Sequence, residues 1–168
     1  MTLVRPALPA DVAIVHRFIC DLAEYEREPD AVTSTPSQLA RALFEGADTP
    51  SGRPALYAHV AEVDGDVVGM AIWFLNYSTW TGHHGIYLED LYVVPEYRSR
   101  GVGGALMREL ATIAVDHGYD RFQWWVLDWN EPAIDMYRRI GAVAMDGWTV
   151  HRLSGDALRA FATKRNSR

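Results

Sequence analysis

Ile86-Tyr87-Leu88-Glu89-Asp90-Leu91-Tyr92-Val93-Val94-Pro95 leads, two residues later, into Arg98-Ser99-Arg100-Gly101-Val102-Gly103-Gly104, and the join between these stretches decides the fold. The first is apolar and rich in β-branched and aromatic side chains, a strand that Pro95 stops. The second is a turn that opens a helix. Leu106, Leu110, Ile113 and Ala114 share one face of that helix through His117, and Gly118 caps its C-terminus. Glycines lack a Cβ, so the chain can bend sharply here and let a ligand approach the backbone. The unbonded N–H groups and the dipole of the helix start favour an anion, and Arg98 and Arg100 add positive charge beside them. A pyrophosphate is the natural occupant, with a plain glycine turn and solvated arginines as the alternative. The pattern lacks the Gly-x-Gly and downstream acid of a dinucleotide fingerprint, and no Gly-Lys-Ser/Thr makes it a P-loop.

Upstream, Leu3 to Arg5 predicts a short strand ended by Pro6. Val12, Val15, Ile19 and Leu22 recur at helical spacing, with Asp11 placed to cap the start. The helix ends in the acidic run Glu24-Tyr25-Glu26-Arg27-Glu28. Thr35-Pro36-Ser37-Gln38 reads as a capping box opening a second, short helix that fades by Gly46. Ala47 to Pro54 is a loop. Leu56 to Val63 and Val67 to Leu75 are strands joined by Asp64-Gly65, a hairpin signal. Thr79 to Gly85 is the loop before the strand quoted above. Downstream, Phe122 to Leu127 reads as a buried strand. Pro132 opens a helix that Gly141 closes. Ala142 to Met145 and Trp148 to Leu153 follow as strands, and Asp156 to Lys164 as a final helix. One α/β domain over residues 1–168 results, with a mixed sheet because hairpins dominate its middle.

The chain has 168 residues, 49% hydrophobic and 23% charged, a composition that buries a core and excludes disorder. Its single cysteine, Cys20, allows no internal disulfide and no cysteine-based metal cluster, and its apolar surroundings suggest a small core residue. No stretch reaches the roughly 18 apolar residues of a membrane span, and the first ten residues lack a signal-peptide pattern. A cytoplasmic location is expected. The net charge of −6 argues against a nucleic-acid partner and suits solubility or a cationic ligand.

The stretch Tyr87 to Arg98, the glycine turn, and Val126-Leu127-Asp128-Trp129-Asn130-Glu131-Pro132-Ala133 followed by Met136-Tyr137 together resemble the diamine (spermidine/spermine) N-acetyltransferase family of the GNAT superfamily. Arg5-Pro6-Ala7 and Leu22-Ala23-Glu24-Tyr25-Glu26 belong to the same resemblance. It implies the GNAT (acyl-CoA N-acyltransferase) fold, α/β (α+β) with a mixed, mostly antiparallel central sheet flanked by helices. It also implies acetyl-CoA as co-substrate, no metal, a small-molecule amine as partner, and a homodimer.

Transfer of an acetyl group from a thioester to an amine has three needs. An alkylammonium of pKa ~10 must lose a proton, the carbonyl oxygen must be stabilised, and the thiolate benefits from a proton donor. The resemblance gives the last role to Tyr137, which as a plain tyrosine would fill a helix–sheet gap. It gives the first to Glu89, alternation placing that carboxylate on the strand face opposite Leu88 and Asp90. By resemblance the coenzyme is held by the backbone of Leu91, Tyr92 and Val93, by Arg98, Ser99, Arg100, Gly101, Val102, Gly103 and Gly104, and by Asn130, Glu131, Pro132 and Ala133. Tyr25, Glu26, Trp80, Glu89, Asp90, Asp128 and Trp148 are candidates for the amine, as ion pairs or cation–π partners. Where the polyamine branch has an acid two places before the loop tryptophan, this chain has Ser78. Tyr77-Ser78-Thr79-Trp80 and Leu127-Asp128-Trp129-Asn130 are more similar to the branch that acetylates thialysine, so a lysine-like amino acid stands beside a diamine as substrate. A GNAT enzyme for another amine, such as an antibiotic or a peptide N-terminus, and a non-catalytic acyl-CoA-binding regulatory module are the alternatives.

Overall fold

Strands β1 (Thr2–Pro6), β2 (Tyr57–Val63), β3 (Asp66–Ser78), β4 (His83–Val93) and β5 (Phe122–Trp124) form one sheet in sequence order. The computed structural model describes residues 1–46 and 49–164. The three junctions from β1 to β4 are antiparallel, and β4 with β5 is parallel. The sheet is mixed, as the hairpins require, and mostly antiparallel, as the resemblance implies. Asp64 and Gly65, with φ of 54° and 92°, close the turn between β2 and β3. The loop expected from Thr79 to Gly85 is shorter, because pairing of Ser78 with His83 extends both strands. Part of the Ala47–Pro54 loop, residues 47 and 48, lies outside the described residues.

Helix α1 (Val12–Tyr25) lies on one face of the sheet. Its fully buried Val15 and Phe18 join Val60, Met70, Ile72 and Tyr92. Leu39 of α2 (Pro36–Ala40) and Leu43 of the π-helical turn Arg41–Glu45 complete that core. The capping box forms as expected, with the Gln38 N–H donating to Thr35 Oγ1 at 3.2 Å and the Thr35 N–H to Gln38 Oε1 at 2.9 Å. Helix α3 (Val102–Asp116) covers the other face and buries Val102, Leu106, Met107, Leu110 and Ala114. Gly69, next to Met70 and therefore facing the opposite way, is in close contact with Leu106.

Four expectations need correction. Asp11 makes no side-chain cap on α1. Its carboxylate instead accepts the Leu8 N–H at 2.7 Å and pairs with Arg5 at 2.6 Å, and Arg5 also pairs with Glu62. Arg5 thereby ties β1 to β2 and to the start of α1. Cys20 is exposed, because it falls off the Val15–Phe18 stripe of its helix. β5 ends at Trp124, three residues short of Leu127. Ala142–Met145 and Trp148–Leu153 form no strands. Their β-forming side chains Val143, Met145, Trp148 and Val150 are exposed, and strand propensity without a ladder partner does not make a strand.

The chain divides into two units, Met1–Leu127 and the part from Asp128 onward. The second holds α4 (Glu131–Arg139) and α5 (Gly155–Thr163).

Candidate active site

β5 pairs with β4 only at Ile86, Tyr87 and Leu88. From Glu89 onward β4 is held by β3 on one edge alone, and its other edge carries backbone groups without a β5 partner. Such an edge accepts an extended ligand as an added strand. Leu91, Tyr92 and Val93 lie on it.

Across the β3–β4 junction, Ile72 stands opposite Asp90 and Trp73 opposite Leu88. Glu89 is therefore the extra residue of a β-bulge, and the simple alternation expected for it does not hold. Its side chain is exposed. Asp90 returns to the Ile72 face, within the electrostatic reach of Glu26 at the end of α1, and is half-buried.

Burial pushes the Asp90 carboxyl up to about 6, and the nearby charges of Glu89 and Glu26 push in the same direction. Glu26 is also raised by burial. The structure thus brings Glu26, Glu89 and Asp90 into one field of negative charge. Carboxylates that repel one another hold a proton or a cation well, and an ammonium placed among them meets attraction from all three.

Tyr25 and Glu26 close α1. The Arg98 guanidinium lies over the Tyr25 ring at 4.9 Å and over the Tyr92 ring at 5.5 Å. Its Nε–H donates to the Val93 carbonyl at 2.9 Å. Arg98 is thus a clamp between the end of α1 and the end of β4, a role that sequence reasoning missed. The spacing of aromatic residues around an arginine distant in sequence gave no signal of it.

The turn that follows adopts left-handed backbone at Ser99, φ 59°, and at Gly101, φ 84°. Gly101 takes this conformation at no steric cost. A Cβ on Gly101 or Gly104 would meet nothing within 4 Å, so the backbone there faces open space. The first N–H groups of α3, which no helical carbonyl satisfies, lie in the same place. Arg100 sits beside them, over the Tyr97 ring at 5.3 Å. Two arginines, an uncapped helix start and bare backbone fit a diphosphate, and the free β4 edge fits the chain of amides attached to one in coenzyme A.

Trp80, in the turn between β3 and β4, is 89% exposed. In the second unit Asn130 takes the N-cap position of α4, and Glu131, Pro132 and Ala133 form its first turn. Tyr137 lies in the same helix, two turns on. Asp128 precedes the helix and Trp148 follows it, both exposed. Among the described residues no group of three His, Cys, Asp or Glu side chains is arranged to hold a metal.

Two kinds of comparison agree with this geometry. Residues 19–142 match the model of the acetyltransferase (GNAT) family. The chain is 38% identical over 173 residues to a thialysine N-epsilon-acetyltransferase of Sus scrofa, covering 96% of this chain and 98% of that protein. It is 30% identical to an L-ornithine N5-acetyltransferase of Arabidopsis thaliana, covering 94% and 86%. A solved integron cassette protein from the mobile metagenome of V. cholerae shares the fold, with a TM-score of 0.77 at 24% identity over 97% and 98% of the two chains. The sheet that parts beyond Leu88, the glycine turn at the start of α3 and these likenesses lead to one conclusion: the chain belongs to the GNAT family and is an N-acetyltransferase.

Proposed function

We propose that this enzyme moves the acetyl group of acetyl-CoA to the primary amine of a small cationic molecule, an amino acid with a side-chain amine or a diamine. The observation that carries this is the carboxylate group Glu26, Glu89 and Asp90 at the stretch of β4 that β5 leaves unpaired, on the strand that leads into the glycine turn of α3. The coenzyme supplies the acetyl group as an activated thioester.

The residues divide the work. The turn from Arg98 to Gly104 holds the diphosphate, and the backbone of Leu91 to Val93 pairs with the coenzyme's amide arm. An N–H on that edge stabilises the carbonyl oxygen as it gains charge. Asn130 to Ala133 line the coenzyme as well. Tyr25, Glu26, Trp80, Asp128 and Trp148 hold the cation. Glu89, with Asp90 behind it, takes the ammonium proton, directly or through water, and frees the nitrogen lone pair to attack. As the C–N bond forms and the C–S bond breaks, Tyr137 gives its proton to the departing sulfur and regains one from solvent. The pig and Arabidopsis relatives, acetyltransferases named for thialysine and for L-ornithine, support a side-chain amine. By resemblance, the enzyme works as a homodimer.

Thiol release from acetyl-CoA, measured with thialysine, ornithine, putrescine, spermidine and an aminoglycoside, tests this. Turnover with the first three is expected. Coenzyme binding without turnover across a broad amine library would replace the enzyme with a binding module.

A further inference from the structure

The sheet face that carries Asp90 continues toward the start of β4 and meets a second charged group. Phe74 and Asn76 on β3, Tyr87 and Gly85 on β4, and Gln123 on β5 share this face with Ile72, as their pairing and alternation require. Phe74 stacks on Tyr87 with ring centroids 4.9 Å apart, making an apolar floor. Beyond the floor lies Arg121. Its Nε–H donates to Asn76 Oδ1 at 3.2 Å, and the Asn76 amide donates to Gln123 Oε1 at 3.0 Å. A Cβ at Gly85 would stand 2.4 Å from Arg121 Cγ, so the arginine stem lies flat on that glycine and on this face of the sheet. Among the described residues Arg121 has no ion-pair partner, whereas Arg5 is matched by Asp11 and Glu62.

We infer that Arg121 binds the α-carboxylate of an amino-acid substrate whose side-chain amine reacts at Glu89 and Asp90, with Phe74 and Tyr87 as the floor for the methylenes between. This rests on the amine acetyl transfer proposed above and narrows its substrate class. The spacing is a ruler. Ile72, opposite Asp90, and Asn76, in contact with Arg121, are four residues apart on β3, which is about 13 Å at ~3.3 Å per residue. An extended amino acid of lysine length spans roughly 9 Å from side-chain nitrogen to carboxylate oxygen, from ordinary bond lengths. Charge-assisted hydrogen bonds of about 2.8 Å at the two ends bring the total to roughly 15 Å, within the reach that rotation of the arginine and carboxylate side chains allows. A side chain one methylene shorter still reaches, because the arginine can extend. A diamine leaves the guanidinium without an anion, and a longer polyamine brings a cation toward it. The same residue therefore selects for an amino acid and against a polyamine.

Arg121→Gln and Arg121→Lys test the assignment with two substrate pairs: ornithine against putrescine, and lysine or thialysine against its decarboxylated diamine. In each pair only the carboxyl group differs. The glutamine variant should raise KM for the amino acids about 10- to 100-fold, the usual worth of a charged hydrogen bond, with kcat little changed. Its KM for the diamines should stay the same or fall, which also shows that the variant is folded. Lysine at this position should restore part of the amino-acid KM. Equal losses on both members of a pair, or no loss on either, would overturn the role of Arg121 while leaving amine acetylation standing. If the unaltered enzyme acetylates no amine in either pair, the proposed function falls and this inference with it.

Discussion

Asp90→Asn should make the protein more stable at neutral pH while impairing it as an enzyme. Burial and the charges of Glu89 and Glu26 raise the Asp90 carboxyl from 3.8 to about 6 in the folded state. A carboxyl with a raised folded pKa binds its proton more tightly when folded, so its contribution to stability is lost as pH rises through the window from about 4 to about 6. Two pKa units correspond to about 3 kcal/mol of strain at pH 7.5. The same linkage leaves about 0.5 kcal/mol at pH 4. Asparagine has the same shape and no charge. Its gain over the unaltered protein should therefore be about 3 kcal/mol at pH 7.5 and shrink toward zero at pH 4. For a chain of this size the neutral-pH gain corresponds to a Tm rise of about 6–12 °C. Thermal or urea unfolding of both proteins at the two pH values measures it. A variant that is less stable at pH 7.5, or a gain that is the same at both pH values, would refute the buried-charge account. A cationic substrate or unreactive diamine analogue should stabilise the unaltered protein more than the variant, because the ammonium relieves the same repulsion.

Two further substitutions separate the other roles. Tyr137→Phe keeps the ring and removes the proton, so kcat should fall by roughly 10²–10⁴-fold, the range for a positioned general acid, with the coenzyme Kd essentially unchanged. Full activity would remove Tyr137 from the mechanism. Arg98→Ala takes away both a cation at the turn and the clamp on Tyr25. Coenzyme Kd and amine KM should rise together, and an amine KM that stays constant in steady-state kinetics would show that the contact at 4.9 Å over Tyr25 does not position Glu26.

The elements that hold the site were legible where local chemistry alone sets them. Asp64-Gly65 makes a hairpin whatever surrounds it, and Thr35 with Gln38 makes a cap from atoms three residues apart. Gly101 in left-handed backbone at the head of α3 is of the same kind. Features that depend on partners distant in sequence were not legible. A bulge at Glu89 exists only through its register with Ile72 and Trp73, so alternation along β4 wrongly put Leu88 and Asp90 on one face. Asp11 has the residue type of a cap, but the nearer attraction of Arg5 takes its carboxylate elsewhere. The apolar run from Phe122 to Leu127 reads as one strand, yet β5 ends at Trp124 and pairs with β4 no further than Leu88.

That last failure and the bulge share one cause. A parallel partner running on along β4 would satisfy the edge from Glu89 to Val93 and leave no backbone for a ligand to pair with. The bulge adds twist to β4 at the residue where β5 stops pairing, as an extra residue in one strand does. Across the bulge Asp90 comes to the Ile72 face, where Glu26 acts on its charge, and Arg98 joins the end of α1 to β4 through Tyr25 and Tyr92. On the proposed function, one irregular residue thus lies both at the edge that takes the coenzyme and among the carboxylates that take the amine. Restoring regular pairing by deleting Glu89 should therefore abolish coenzyme binding and amine binding together, which isothermal titration with coenzyme A and with a diamine can read separately. Coenzyme affinity that survives the deletion would show that the edge opens for some reason other than the bulge.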